Sequence, residues 1–198
     1  CPRLLDPLGI AGATWEQSPQ GIDTGGWGLK IRTEDIARFG QLYLQKGIWN
    51  GRQILSEDWI ARATTKQIDN GTDPNSDWAQ GYGYQFWRCR HGVYRGDGAF
   101  GQYCVVMPEQ DAVLAITSGV PDMQGVLNLV WDCLLPAMQS APLPDNPAAC
   151  EALQGKLARL TFAPPSGSAT VPRAAEVSGR AYHAVENPVN LQTLVVEF

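Results

Sequence analysis

Gln102-Tyr103-Cys104-Val105-Val106-Met107 is followed by Pro108-Glu109-Gln110-Asp111 and then by Ala112-Val113-Leu114-Ala115-Ile116-Thr117-Ser118. Two apolar runs of strand length, with a turn bounded by Pro108 and Asp111, read as an antiparallel pair. Upstream, Tyr82, Tyr84, Phe86 and Trp87 make an aromatic-rich strand, His91-Gly92 a hairpin turn and Val93-Tyr94-Arg95 a short return. The stretch is an antiparallel meander of four strands.

Helices flank it. Thr33 is placed to cap a helix, with Glu34 and Asp35 in the first turn and Ile36, Phe39, Leu42 and Tyr43 at helical spacing. Lys46-Gly47 closes that helix. Ser56 caps a shorter one that carries Trp59, Ile60 and Ala63 on one face. After the meander, Asp122 caps a long helix whose face is Val126, Leu127, Val130, Trp131 and Leu134, with Pro136 near its end. Helices before and after a sheet give an α+β layered fold, an antiparallel sheet with packed helices, over residues 1–140.

Beyond that point the composition changes. Residues 141–173 read as linker around a short helix, capped by Asn146 with Pro147 in its first turn and striped with Ala149, Leu153, Leu157 and Leu160. Ala163-Pro164-Pro165-Ser166-Gly167-Ser168 is the most linker-like piece. Residues 174–198 hold two strands, Val177–Tyr182 and Leu191–Phe198, and read as the start of a small β domain. The chain opens on Cys1-Pro2-Arg3 and stops at Phe198 in mid-strand, so it is expected to be a fragment of something longer.

Composition narrows the function. Of 198 residues, 15 are Lys or Arg and 20 are Asp or Glu, a formal charge of −5 with no basic cluster, which argues against a nucleic-acid surface. No apolar run is long enough to span a membrane. Cys1, Cys89, Cys104, Cys133 and Cys150 include no Cys-x-x-Cys, and His91 and His183 join them in no ligand pattern, so neither a structural zinc nor a cofactor is called for. The cysteines read as small buried residues; if the protein is exported, Cys89 and Cys104 on neighbouring strands are the first disulfide pair to check. The sequence contains no Ser-x-x-Lys and no Gly-x-Ser-x-Gly. Gly96-Asp97-Gly98-Ala99-Phe100-Gly101-Gln102 packs three glycines into seven residues at the entry to a strand, which marks either a tight turn or a place where a ligand approaches the backbone.

Three blocks carry a resemblance. Gly25-Gly26-Trp27-Gly28-Leu29-Lys30-Ile31-Arg32-Thr33-Glu34-Asp35-Ile36-Ala37-Arg38-Phe39-Gly40-Gln41-Leu42-Tyr43-Leu44, then Trp49-Asn50-Gly51-Arg52-Gln53-Ile54-Leu55-Ser56, then Tyr94 to Gln102 with the strand ending Met107-Pro108-Glu109, resemble the serine β-lactamase-related, penicillin-binding-protein-like hydrolases. That family takes in class C β-lactamases, D-Ala-D-Ala peptidases, esterases and 6-aminohexanoate-dimer hydrolases. The resemblance covers roughly residues 5–140 and implies the C-terminal half of a β-lactamase/transpeptidase-like fold. It implies a reaction through an acyl-enzyme on a serine in Ser-x-x-Lys, assisted by a Tyr, both upstream of the stretch seen here. It implies that Gly96, Asp97 and Gly98 occupy the family's Lys-Thr-Gly or His-Thr-Gly strand element and line the substrate, and that the Ala99 N–H is one of two oxyanion donors.

The departures from that pattern are informative. Gly96 stands where the cation should be, and Asp97 brings a carboxylate. A substrate bearing its own carboxylate would lose a partner and meet repulsion, so neutral or cationic esters or amides are expected to be preferred over β-lactams. Unpaired edges on Tyr82–Arg90 and Gln102–Met107 suggest association with a second copy or with the missing half. The family resemblance suggests the periplasm or cell envelope. Two alternatives remain open: a homologue that binds or senses without catalysis, and an unrelated aromatic-rich carbohydrate or peptide binder, which would need an exposed row of Trp and Tyr.

Overall fold

The computed structural model describes residues 2–162, 166–167 and 172–198; Cys1 and most of the Ala163–Ser168 stretch lie outside them. The chain divides into two compact units, Cys1–Leu143 and Pro144–Phe198.

In the first unit, β1 (Thr14–Trp15) and β2 (Leu29–Lys30) form a small antiparallel pair. Then come α1 (Thr33–Leu44), the tight hairpin of β3 (Ile48–Trp49) and β4 (Arg52–Gln53), and α2 (Glu57–Thr64). The main sheet is β5 (Trp87–Arg88), β6 (Tyr94–Gly98), β7 (Gln102–Met107) and β8 (Ala112–Ile116), antiparallel in that order, followed by α3 (Met123–Leu129).

The period of two along β7 makes this a three-layer arrangement. Tyr103, Val105 and Met107 pack with Val93, Leu127, Val130 and Trp131 on the α3 side. Cys104 and Val106 pack with Tyr43, Ile60, Ala63, Phe86 and Tyr94 on the side of α1 and α2. The second cluster is aromatic: the Tyr43 and Phe86 rings lie 4.6 Å apart, and Phe86 meets Tyr94 edge-on at 5.7 Å. A smaller cluster of Leu8, Ile10 and Leu42 fills the far side of α1.

Helix starts follow local chemistry where the cap is a side chain. Ser56 accepts from the Trp59 N–H, Asp122 from Gly125 and Asn146 from Ala149. Thr33 is instead the first helical residue. Arg32 is the extended residue before it and makes no side-chain cap, while the Thr33 hydroxyl lies 3.2 Å from that of Thr117.

Several boundaries differ from the sequence reading. The aromatic strand shrinks to Trp87–Arg88, because the chain turns at Gln85 (φ 64°) and Tyr84 donates instead to the Ala63 carbonyl at the end of α2. The return strand lengthens to take in Gly96-Asp97-Gly98. The helix after Asp122 keeps its regular ladder only to Leu129, widens to a π turn over Val130–Leu134 and tightens to 3-10 at Leu135–Ala137, where Pro136 has no N–H to give. Gln102–Met107 is not an open edge: it is paired on both sides, to β6 and to β8. Cys89 and Cys104 are free thiols on opposite faces of the sheet, which excludes their pairing. Burial pushes their pKa values up to about 11 and about 12, so both stay protonated and inert.

The second unit carries α4 (Pro147–Leu157), α5 (Ala174–Val177) and an antiparallel pair, β9 (Ala181–His183) with β10 (Thr193–Val195). Val177 therefore ends a helical turn, and Gly179 (φ 73°) reverses the chain before the strand.

Gly40 sets the approach of α1 to the sheet. A Cβ there would lie 2.5 Å from Val113 Cγ1 and 2.8 Å from Cys104 Sγ. Gly40→Ala is expected to destabilise the first unit by about 1–3 kcal/mol through overpacking, more than the ~1 kcal/mol that alanine gains in helix propensity. The check is the urea midpoint, which should fall; an unchanged or raised midpoint contradicts the close approach.

Candidate functional site

β5 covers only the first half of β6. It pairs with Tyr94 and Arg95, whereas Gly96, Asp97 and Gly98 pair with β7 alone. Among the described residues no strand lies on the other edge of Gly96–Gly98, so its backbone groups are open for pairing. The two glycines face the α1 side, in register with Cys104 and Gln102. A Cβ at Gly96 would come no closer than 4.0 Å to the Cys104 Cβ, so a side chain has room to start there.

The edge runs into a three-residue turn, Ala99-Phe100-Gly101, closed by the Gly98–Gln102 pair. Phe100 (φ 65°) and Gly101 (φ 85°) are both left-handed, and Phe100 is exposed. The side-chain bonds that pin this turn all fall on its carbonyls. Gln102 Nε2 donates to the Ala99 and Ser118 carbonyls, Ser118 Oγ lies 2.8 Å from the carbonyls of both Phe100 and Gly101, and the Val120 N–H also donates to Phe100. The Ala99 N–H takes no part in this set. A backbone N–H held at the end of an open strand edge is the element needed to bind a developing oxyanion.

Asp97 turns the other way. Its carboxylate accepts from Arg95 Nε at 3.2 Å and Nη2 at 3.0 Å, and Arg95 is fully buried. The guanidinium is stacked 4.4 Å from the Trp78 ring and 5.6 Å from Trp87, and it donates to the Asp77 carbonyl and to Cys89 Sγ. Burial raises the Asp97 carboxyl above its ordinary 3.8, against the pull of Arg95 and the Trp87 indole. The negative charge is thus compensated on the α3 side of the sheet. The repulsion expected from a bare Asp97 loses its basis; the missing cation at Gly96 remains.

Nothing in the residue pattern signals the buried cluster behind this pair. Asp77, fully buried within a turn-rich loop, accepts from the Arg90 backbone and guanidinium, from Gln124 Nε2 at 2.6 Å and from the Trp131 indole at 2.9 Å. Gln124 returns a bond to the Asp77 N–H. The cluster ties residues 77–78, the β5–β6 hairpin and α3 together beneath β6.

A family model described as Beta-lactamase matches residues 3–125. The chain belongs to the Beta-lactamase family. Its fold is that of the β-lactamase/transpeptidase superfamily. A solved Bacillus anthracis protein, provisionally named a 6-aminohexanoate-dimer hydrolase, aligns with a TM-score of 0.56 at 23% identity over 68% of this chain. The chain spans 36% of that protein's length. A Bacteroides dorei protein provisionally named a β-lactamase aligns more loosely, with a TM-score of 0.46 at 15% identity over 64% of this chain and 49% of that one. Among the described residues, no group of three or more His, Cys, Asp or Glu could hold a metal ion. No helix among them is long and apolar enough to cross a membrane.

The Asp77 cluster predicts a pH dependence. Burial alone would raise the Asp77 carboxyl, but the donors Arg90, Trp131 and Gln124 together outweigh it and hold the pKa below its ordinary 3.8. A depressed carboxyl contributes stability that is complete above the unfolded value and lost as pH falls through the folded one. Asp77→Asn is expected to cost about 3–5 kcal/mol at neutral pH, as for a broken buried pair. Its stability deficit should shrink as pH drops below 3.8. Denaturant unfolding of both proteins at pH 7 and pH 3 checks this; a deficit equal at the two pH values contradicts it.

Proposed function

We propose that this chain is the C-terminal part of the catalytic domain of a serine hydrolase that cleaves ester or amide bonds through an acyl-enzyme. The nucleophilic serine, its lysine and the assisting tyrosine come from sequence outside these 198 residues, which contain no Ser-x-x-Lys. The observation that carries the reading is the open Gly96–Gly98 edge leading into the Ala99 turn. Substrate lies along that edge, where glycine lets its backbone come close, and the Ala99 N–H donates to the carbonyl oxygen as it becomes an oxyanion. Such a donor is worth about 2.7–4 kcal/mol in the transition state, because it is aimed before the charge develops. The chain alone, without its nucleophile, is inactive. By family resemblance the site of action is the periplasm or cell envelope.

Neutral or cationic esters and amides are the preferred substrate class. A β-lactam or D-Ala-D-Ala peptide brings a carboxylate, and Gly96 offers it no cation.

Three outcomes follow. A fluorophosphonate probe should label no serine in this chain, while the full-length protein should label at one serine upstream of it; a stoichiometric label within residues 1–198 overturns the assignment. In the full-length protein, ester turnover should exceed β-lactam turnover, and comparable efficiency on both removes the substrate preference. Gly96→Lys should raise kcat/KM for a carboxylate-bearing substrate about tenfold relative to its neutral ester, the effect of ~1.4 kcal/mol from one new charge contact. No change in that ratio shows that Gly96 does not face the substrate carboxylate.

A further inference from the structure

The turn that carries Ala99 is held by hydrogen bonds from the side chains of Gln102 and Ser118 and from the Val120 N–H. Phe100 is a non-glycine residue in the left-handed region, which costs free energy unless its surroundings enforce it. The enforcing groups come from the segment after β8. Ser118 Oγ sits between the Phe100 and Gly101 carbonyls at 2.8 Å from each, and the Val120 N–H reaches the Phe100 carbonyl at 3.1 Å. From the strand side, Gln102 Nε2 bridges the carbonyls of Ala99, at 3.3 Å, and Ser118. Glycine at 101 is required by the same contact, since a Cβ there would lie 2.3 Å from Ser118 Oγ. Thr117, the neighbour of Ser118, is in turn tied to Thr33 at the start of α1. The three carbonyls of the turn are therefore all drawn onto donors, which fixes the planes of peptides 99–100, 100–101 and 101–102; the peptide that carries the Ala99 N–H, Gly98–Ala99, is held from the strand side by the Gly98–Gln102 pair.

We propose that Gln102 and Ser118 are positioning residues, a latch that holds the peptides on the C-terminal side of Ala99 while the Gly98–Gln102 pair holds the peptide before it, so that the Ala99 N–H stays presented at the open edge of β6. The latch rests on the hydrolase reading only for its effect on rate; its effect on the turn is a property of this chain. Neither residue touches substrate. Gln102→Glu should be worse than Gln102→Met, because a carboxylate placed between two carbonyls repels both, whereas Met only fails to donate. Ser118→Thr keeps the hydroxyl and should restore what Ser118→Ala removes.

The test has two arms. In this chain, 15N relaxation and amide exchange compare wild type, Ser118→Ala, Ser118→Thr and Gln102→Met. The account expects faster exchange and lower order at residues 99–101 in Ser118→Ala and Gln102→Met, with β7 unaffected and Ser118→Thr like wild type. A turn equally ordered in all four overturns the latch. In the full-length protein, Ser118→Ala and Gln102→Met should lower kcat on a neutral ester by about tenfold or more, part of the 10²–10³ lost when an oxyanion donor is removed outright, with KM changed less than threefold. Equal kcat in an active protein, or a loss confined to KM, also overturns it. An inactive wild-type full-length protein defeats the hydrolase reading alone, and the exchange arm still decides the latch.

Discussion

A strand paired on both edges and covered on both faces has no position left for a solvated side chain. β7 is under that constraint, and Tyr103, Cys104, Val105, Val106 and Met107 are all buried. Its two faces seed the two main clusters, so α1 and α2 are held on one side and α3 on the other. Full burial of a side chain of this kind is worth about 1.5–3 kcal/mol. The position of β6 then follows from five consecutive register pairs, and so does the position of the turn that joins it to β7.

β6 meets a harder constraint. Its first half is interior, and its second half must stay open if a substrate is to reach it. The strand resolves this with alternating chemistry. Tyr94 fills the aromatic cluster, and Gly96 and Gly98 on the same side leave the approach clear. Arg95 and Asp97 on the other side form a neutral pair set against Trp78 and Trp87. A buried guanidinium is tolerable only when its donors are met. Here Asp97, the Asp77 carbonyl and Cys89 meet them. The polar cluster thus stiffens the back of the strand whose front edge is open.

Local signals were legible where the deciding groups are close in sequence. The caps at Ser56, Asp122 and Asn146 each need a residue only three positions away, and the β7 and β8 runs are long enough to read directly. Tyr82–Trp87 was misread because its fate depends on the end of α2, some twenty residues earlier, which claims the Tyr84 N–H. The burial of Arg95 was not legible at all: a charged residue in a strand reads as solvent-facing, and its carbonyl partner, Asp77, lies in a loop 18 residues away. Asp97 was legible as part of a glycine-rich edge but not as a neutralised charge, since Arg95 two residues before it counts as a partner only once both are known to share a face. The glycine-rich stretch 96–101 is legible as a turn, whereas the bonds that hold its carbonyls depend on Ser118, 17 and 18 residues further along the chain.

The most direct test is a crystal structure of the full-length protein with a phosphonate bound to its nucleophile. The account predicts that the phosphoryl oxygen mimicking the oxyanion lies about 2.7–3.1 Å from the Ala99 nitrogen, with the inhibitor's substituent running along Gly96–Gly98 and Asp97 still paired with Arg95. An oxygen bound by other donors, with Ala99 turned away from it, would contradict the account.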